Sequence, residues 1–183
     1  YAECHRISTR DSDKLTALLR DKSIDAVMHF AAYIFVGESV EKPDLYYENN
    51  VAGTLSLLAA MKAAEVKKII FSSTCATYAE LKNPEPLTEL HAQDPISPYG
   101  RSKLMCEQIM RDYCATLGFS AVIFRYFNAS GADPENEFGE DHVPETHLVP
   151  LAIRAALENR PDFVVNGSDF ATADGTAVRD YIH

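Results

Sequence analysis

Short apolar runs alternate with longer segments of helical periodicity over the first two thirds of the chain. Residues 24–30, 67–73 and 119–127 are strand-sized runs in which β-branched and aromatic side chains are frequent. Residues 44–65 and 97–117 instead carry apolar side chains three and four positions apart, which is typical of helices. This alternation predicts an α/β fold with a doubly wound parallel sheet that helices cover on both faces.

The pattern changes after residue 127. Residues 129–146 are rich in glycine, proline and acidic residues, which is typical of a loop. A helix is predicted from about residue 146 to residue 159, and strand-like pieces follow at 162–166 and 177–182. We therefore expect one domain at residues 1–127 and the start of a second, smaller domain at residues 128–183.

The net charge, the length of the apolar runs and the cysteine spacing argue against several classes of function. The 183 residues carry a formal net charge of −10, which disfavours neutralisation of phosphates and therefore nucleic acid as a partner. The apolar runs are too short to span a membrane. The cysteines show no C-x-x-C and no zinc-finger spacing, which favours reduced thiols and a cytoplasmic location. They are Cys4, Cys75, Cys106 and Cys114.

All three predicted strands end in residues that can take part in chemistry. These ends are His29 to Ala32, Ser72 to Thr74 and Tyr126 to Asn128. In open parallel α/β sheets, ligands bind outside the carboxyl ends of the strands, so we expect a site along this edge. His29 itself lies inside an apolar run, and we interpret it as a buried structural histidine.

A candidate proton-transfer site follows from the second helix. Ser97 suits the N-cap and Pro98 the first helical position, which places Tyr99 and Lys103 one turn apart on one face. A nearby ammonium lowers the pKa of a phenol, which is about 10 in a free tyrosine, and makes it a better base. Tyr-x-x-x-Lys is frequent by chance in amphipathic helices. The hydroxyl of Thr74, at the end of the neighbouring strand, favours the functional interpretation.

Longer blocks of the chain carry more specific information. They are HFAAYIFVGESVEKPDLYYENNVAGTLSLL, FSSTCATYAE, SPYGRSKLMCEQ, RYFNASGADP, GEDHVPETHLVPL and DGTAVRDYIH. Together they resemble the UDP-glucose 4-epimerases of the extended short-chain dehydrogenase/reductase family. The resemblance implies a Rossmann-like sheet, bound NAD, a UDP-sugar substrate and a homodimer. It also implies interconversion of UDP-galactose and UDP-glucose through a transient 4-keto sugar, as in galactose metabolism.

The resemblance implies roles for individual residues. Tyr99 is the catalytic base, Lys103 lowers its pKa and holds the nicotinamide ribose, and Thr74 bridges to the substrate oxygen. These three residues also contact the cofactor. The further cofactor-binding positions are Phe30, Ala31, Ala32, Asn49, Tyr126 and Phe127, and the nucleotide-sugar contacts are Asn128, His147, Leu148 and Arg179.

Some features depart from the family pattern and keep alternatives open. The chain contains no G-x-x-G-x-x-G turn for the cofactor pyrophosphate. We therefore expect the chain as given to be an incomplete and inactive fragment of an enzyme. The alternatives are a related 4,6-dehydratase or decarboxylase, or a non-catalytic fragment. Dehydratases typically carry an acidic pair where this chain has Cys75 and Ala76, and Asn166 replaces an aromatic residue that stacks on uracil.

The stretch GEDHVPETH, residues 139–147, contains acidic residues and histidines that could bind a metal. Metal ligands normally project from a defined scaffold, whereas this stretch is loop-like. We therefore expect no metal site.

Overall fold

The computed structural model describes residues 2–80, 86–135, 137–159, 163–165 and 167–183. The chain divides into two compact units, Tyr1–Tyr126 and Phe127–His183. We call them unit 1 and unit 2 and describe each by itself.

Unit 1 contains a parallel sheet of three strands. The strands are β1 (Ala26–His29), β2 (Lys68–Thr74) and β3 (Ser120–Tyr126), in the order β1-β2-β3. Both neighbouring pairs are parallel, and Thr74 at the end of β2 lies opposite Tyr126 at the end of β3. The α/β fold with a parallel sheet that the apolar pattern predicts is therefore confirmed.

Helices precede and connect these strands. Before β1 lies α1 (Ser12–Asp21), which the apolar pattern did not predict. Between β1 and β2 lie α2 (Val36–Glu41), α3 (Pro43–Tyr46), a π-helical turn (Tyr47–Ala52) and α4 (Gly53–Ala63). The predicted helix at 44–65 thus corresponds to α3, the π-helical turn and α4 in succession. A 3₁₀ turn (Cys75–Thr77) and α5 (Pro98–Leu117) connect β2 to β3.

The ends of α5 are set by the residues that the sequence suggests. The Ser97 hydroxyl accepts a hydrogen bond from the Gly100 amide at 3.1 Å, and Gly118 ends the helix with a positive φ of 69°. A Cβ on Gly100 would lie 2.3 Å from the Ala76 carbonyl oxygen. Only glycine therefore lets the first turn of α5 approach the end of β2 this closely.

The hydrophobic core of unit 1 lies on one face of the sheet. Leu57, Leu58 and Met61 of α4 pack there with Phe71 of β2 and Met110 of α5. On the opposite face, Met28, Val122 and Phe124 are 44 to 61% exposed. Among the described residues, every fully buried hydrophobic side chain lies between Leu19 and Phe119.

Unit 2 contains a short parallel strand pair, β4 (Asn128–Ala129) and β5 (Tyr181–Ile182), and the helix α6 (Leu148–Glu158). The predicted helix and the predicted strand at 177–182 correspond to α6 and β5. Residues 163–165 form no strand, and residues 162 and 166 lie outside the described residues. Across the described parts of both units, no helix is long and apolar enough to cross a membrane.

Candidate active site

Tyr99, Thr74 and Lys103 meet at the carboxyl end of β2. Tyr99 and Thr74 are 8% and 7% exposed, and the Thr74 hydroxyl lies close enough to the Tyr99 phenol to influence its pKa. The Lys103 ammonium donates to the Ser72 carbonyl oxygen at 2.8 Å and lies 4.8 Å from the centre of the Phe71 ring. The structure therefore brings the three candidate catalytic residues together in the interior of unit 1.

Burial shifts the pKa values of Tyr99 and Lys103. Burial raises the pKa of Tyr99, and the hydrogen bond with Thr74 opposes that effect only in part. Burial also lowers the pKa of Lys103 to about 8. The sequence instead predicted a lowered pKa for Tyr99, because it considered the nearby ammonium and not the cost of burying a phenolate.

A buried carboxylate lies one turn beyond Lys103 on α5. Glu107 is fully buried and accepts hydrogen bonds from the Ser73 hydroxyl at 2.5 Å and from Arg125 at 2.8 Å. Burial alone would raise the pKa of Glu107, but these bonds, with one from Gln93, hold it below its usual value. Arg125 also donates to the Tyr78 hydroxyl at 2.9 Å. The charge of Glu107 is thus compensated by arginine, and not by Lys103.

Three positions on one face of α5 contact the end of β2. Tyr99, Lys103 and Glu107 are spaced by four positions and therefore share one face of the helix. They contact the side chain of Thr74, the carbonyl of Ser72 and the side chain of Ser73, respectively. Three successive turns of the helix thus contact residues 72–74 of the strand.

The loop after β1 carries the candidate cofactor contacts Phe30, Ala31 and Ala32. It runs at the same edge of the sheet as Thr74, because β1 and β2 are parallel. Phe30 is 54% exposed. Tyr126 ends β3 opposite Thr74, so this candidate contact also lies at that edge.

Asn50 forms hydrogen bonds to this loop and to α5. Its side-chain oxygen accepts from the Tyr33 amide at 2.8 Å, and its nitrogen donates to the Tyr33 carbonyl and to the Ser102 hydroxyl. The neighbouring candidate Asn49 is half-buried and donates to the Asn50 side chain at 3.0 Å. Both asparagines therefore have side-chain partners. Both lie in the π-helical turn, a form that is frequent at functional sites.

Unit 2 gathers the candidate nucleotide-sugar contacts around one cavity. Asn128, His147, Leu148 and Arg179 all line a cavity of about 560 Å³. The Asn128 amide donates to the Asp180 carbonyl at 2.8 Å, and Arg179 donates to the Val178 carbonyl at 2.9 Å. These four residues come from three separate parts of the sequence, and the fold of unit 2 brings them together. Phe127, the first residue of unit 2, is 37% exposed, and Asn166 lies outside the described residues.

The sequence did not predict the buried polar partners of the site. Glu107 looked like one more acidic position on an amphipathic helix, and Ser73 like part of a hydroxyl cluster. The one signal was the spacing of Glu107, four residues after Lys103 on the same helix face. Arg125, the partner of Glu107, follows it by 18 residues, a separation that no local pattern reveals.

The chain matches a family model along its full length. The model is described as the NAD dependent epimerase/dehydratase family and matches residues 1–183. A UDP-glucose 4-epimerase of Rhizobium meliloti (strain 1021) is 54% identical over 174 residues, which is 95% of this chain and 53% of that protein. The chain thus spans about half the length of the curated relatives it matches.

Two solved structures are similar to this one. The UDP-glucose 4-epimerase from Brucella ovis in complex with NAD has a TM-score of 0.91 and 47% identity, over 98% of this chain and 55% of that chain. The enzyme from Bifidobacterium longum in complex with NAD+ and UDP has a TM-score of 0.89 and 42% identity, over 98% of this chain and 54% of that chain.

Proposed function

Because the chain belongs to the NAD dependent epimerase/dehydratase family, we propose that the whole protein is a UDP-glucose 4-epimerase that uses NAD. It interconverts UDP-galactose and UDP-glucose through a transient 4-keto sugar. The observation that carries the proposal is the buried group of Tyr99, Thr74 and Lys103 at the end of β2, in a chain 54% identical to a UDP-glucose 4-epimerase over 174 residues.

Tyr99 is the base of the proposed reaction. It takes the proton from the 4-hydroxyl of the sugar and later returns it, a contribution of roughly 10²–10⁴-fold in general base catalysis. The Thr74 hydroxyl, which lies beside the Tyr99 phenol, holds the same substrate oxygen and aligns it with the phenol. Burial of both side chains excludes water from the proton that moves.

Unit 1 offers a chemically suitable place for the nicotinamide end of NAD. An ammonium has three N–H donors, and the Ser72 carbonyl accepts one from Lys103 at 2.8 Å, so others can reach ribose hydroxyls. The further proposed contacts in unit 1 are Phe30, Ala31, Ala32, Asn49 and Tyr126, and Phe127, the first residue of unit 2, is proposed as well. When bound, NAD supplies the acceptor and donor of the hydride.

The cavity of unit 2 is the proposed site of the nucleotide-sugar. The Arg179 guanidinium is exposed at this cavity and matches the geometry of diphosphate oxygens. Asn128, His147 and Leu148 supply an amide, an imidazole and an apolar surface. These groups together suit a uridine diphosphate more than an uncharged sugar.

We further propose that the whole protein is a homodimer that pairs through α4 and α5. Leu55 on α4 and Met105 on α5 are 46% and 40% exposed, which leaves apolar surface on the two helices.

Turnover of UDP-galactose by the whole protein tests the proposed function. We expect UDP-glucose to form without added oxidant and without net release of NADH, because the hydride returns to the same carbon. The product is identified by nuclear magnetic resonance. Formation of a 4-keto-6-deoxy sugar would assign the protein to the dehydratases instead.

A further inference from the structure

Three side chains outside the catalytic group converge in unit 2. Glu140, His142 and His147 can each present one ligand atom so that all three atoms lie within 4.8 Å of one another. Glu140 Oε1 lies 3.2 Å from His142 Nε2 and 2.9 Å from His147 Nδ1. The two imidazole ring centres are 4.7 Å apart.

Two imidazoles and one carboxylate are a donor set for Zn²⁺ and related late divalent metals. Such metals bind nitrogen and oxygen ligands at about 2.0–2.2 Å, so ligands around one ion lie within about 4.4 Å of each other. Mg²⁺ and Ca²⁺ prefer sites made only of oxygen atoms. Small side-chain rotations would therefore bring this cluster to the spacing of a zinc site with an open fourth position.

A neighbouring carboxylate orients one of the two histidines. The Glu145 side chain is 3% exposed and lies 2.8 Å from His147 Nδ1. Glu145 also accepts from the backbone amides of Thr146 and His147, which holds the carboxylate in place. A carboxylate beside a histidine is the usual outer partner of a metal-bound imidazole, because it holds one ring nitrogen and leaves the other for the metal. Since Glu145 holds Nδ1, the ligand atom of His147 is Nε2.

Metal can reach the cluster from solvent. His142 and His147 are 47% and 38% exposed, and Glu140 and His142 line an open cavity of about 610 Å³. His147 is also the residue directly before α6, so the loop has a defined anchor. The sequence predicted no metal because the stretch is loop-like, but the fold supplies the scaffold that the sequence pattern lacks.

We propose that Glu140, His142 and His147 form a binding site for one Zn²⁺-class cation. The site joins the loop at Glu140 to the start of α6, beside the cavity that holds Arg179. It shares His147 with the proposed nucleotide-sugar site, but its test needs no turnover and is therefore decided separately from the proposed function.

The experiment is calorimetric titration of the metal-free whole protein with Zn²⁺. We expect one tight site per chain, weakened at least about 10-fold by His142→Gln. Glu140→Gln provides a second variant with the same expected result, and circular dichroism verifies that both are folded. The matched control is His5→Gln, since His5 is also an exposed histidine beside a glutamate, with Nε2 3.2 Å from Glu3.

The absorption spectrum of the protein loaded with Co²⁺ identifies the ligands. This test is needed because the exposed Cys4, next to His5, could also bind a metal. We expect cobalt absorption without a thiolate charge-transfer band, and no displacement by excess Mg²⁺. The proposal is overturned if Zn²⁺ does not bind, if both variants bind it as tightly as the wild type, or if the thiolate band appears.

Discussion

Units 1 and 2 hold their candidate functional residues in different ways. In unit 1, Thr74, Tyr99 and Lys103 are between 3 and 8% exposed, and each contacts a neighbouring element. In unit 2, Leu148 is 51% exposed, and Arg179 is exposed at the edge of its cavity. Groups proposed to move a proton are thus buried and positioned by several contacts, whereas groups proposed to bind a charged nucleotide are accessible.

This difference predicts two kinds of response to substitution. In a buried polar network, removal of one partner leaves another group without compensation, so chemistry and folding both suffer. At an exposed side chain, solvent replaces the lost contact, and the effect is confined to ligand affinity. The following substitutions test this difference, from the largest expected effect to the smallest.

Tyr99→Phe should give the largest effect. The change keeps the ring and its edge-on packing against Tyr46 but removes the proton acceptor. We expect kcat of the whole protein with UDP-galactose to fall by about 10²–10⁴-fold with little change in substrate affinity. Tyr113→Phe on the same helix, which packs on Phe119, is the control and should keep wild-type kcat. Similar kcat values for the two variants would remove Tyr99 from the mechanism.

Glu107→Gln should cost about 3 kcal/mol in the free energy of unfolding, because Arg125 loses its buried counter-charge. The measurement is urea unfolding at neutral pH. Glu48→Gln breaks the exposed pair with Arg10 and should cost less than about 1 kcal/mol. Because the pKa of Glu107 is lowered from 4.5 on folding, its stabilisation is complete above that pH and is lost as the pH falls below it. Equal costs for the two variants would contradict the comparison.

His29 should make the stability of unit 1 depend on pH. Burial, with a smaller effect of the Lys103 charge, lowers its pKa from 6.5 to about 4. Between these values the unfolded chain binds a proton that the folded chain does not. The free energy of unfolding therefore falls as the pH falls, by at most about 1.4 kcal/mol per pH unit.

His29→Gln should reduce that slope in urea unfolding between pH 6.5 and 5. The exposed His5→Gln serves as the control and should keep the wild-type slope. An unchanged slope in His29→Gln would mean that the buried imidazole is already protonated in the folded state.

Arg179→Met should give the smallest effect. We expect the whole protein to bind UDP about 10-fold more weakly, because one charge-assisted contact to the diphosphate is worth roughly 1.5 kcal/mol. Unfolding should be unaffected, since the side chain is exposed. Arg154→Met removes an exposed arginine of α6 that lines a different cavity, and its UDP affinity, measured by calorimetry, should be that of the wild type. A loss of stability in Arg179→Met would contradict the division between the units.

The sequence predicted elements whose signals are local. The bounds of α5 follow from Ser97 and Gly118, which act on the helix ends directly. The core strands β2 and β3 follow from continuous apolar runs, whose burial does not depend on details of packing. The helix α1 escaped prediction because it is short and mostly polar, with Leu15 and Leu19 as its core contacts.

The features that the sequence did not predict depend on distant partners. The predicted helix contains a π-helical turn around Asn50, whose side chain is hydrogen-bonded to Tyr33 and Ser102. The raised pKa of Tyr99 is a property of burial, which a spacing of four residues does not encode. The proximity of Glu140 to His147 depends on the fold of unit 2, which no local pattern encodes.

The contacts of Tyr99, Lys103 and Glu107 on one face of α5 restrict the motion of this helix relative to β2. A helix is stiff, so a displacement of α5 away from β2 breaks its contacts at Tyr99, Lys103 and Glu107 together. A large displacement of the candidate base therefore requires helix and strand to separate. Such separations belong to the slow regime of local unfolding, orders of magnitude slower than the rotamer changes of exposed side chains. The combined free energy of these contacts, and not that of the weakest one, sets how often the site opens.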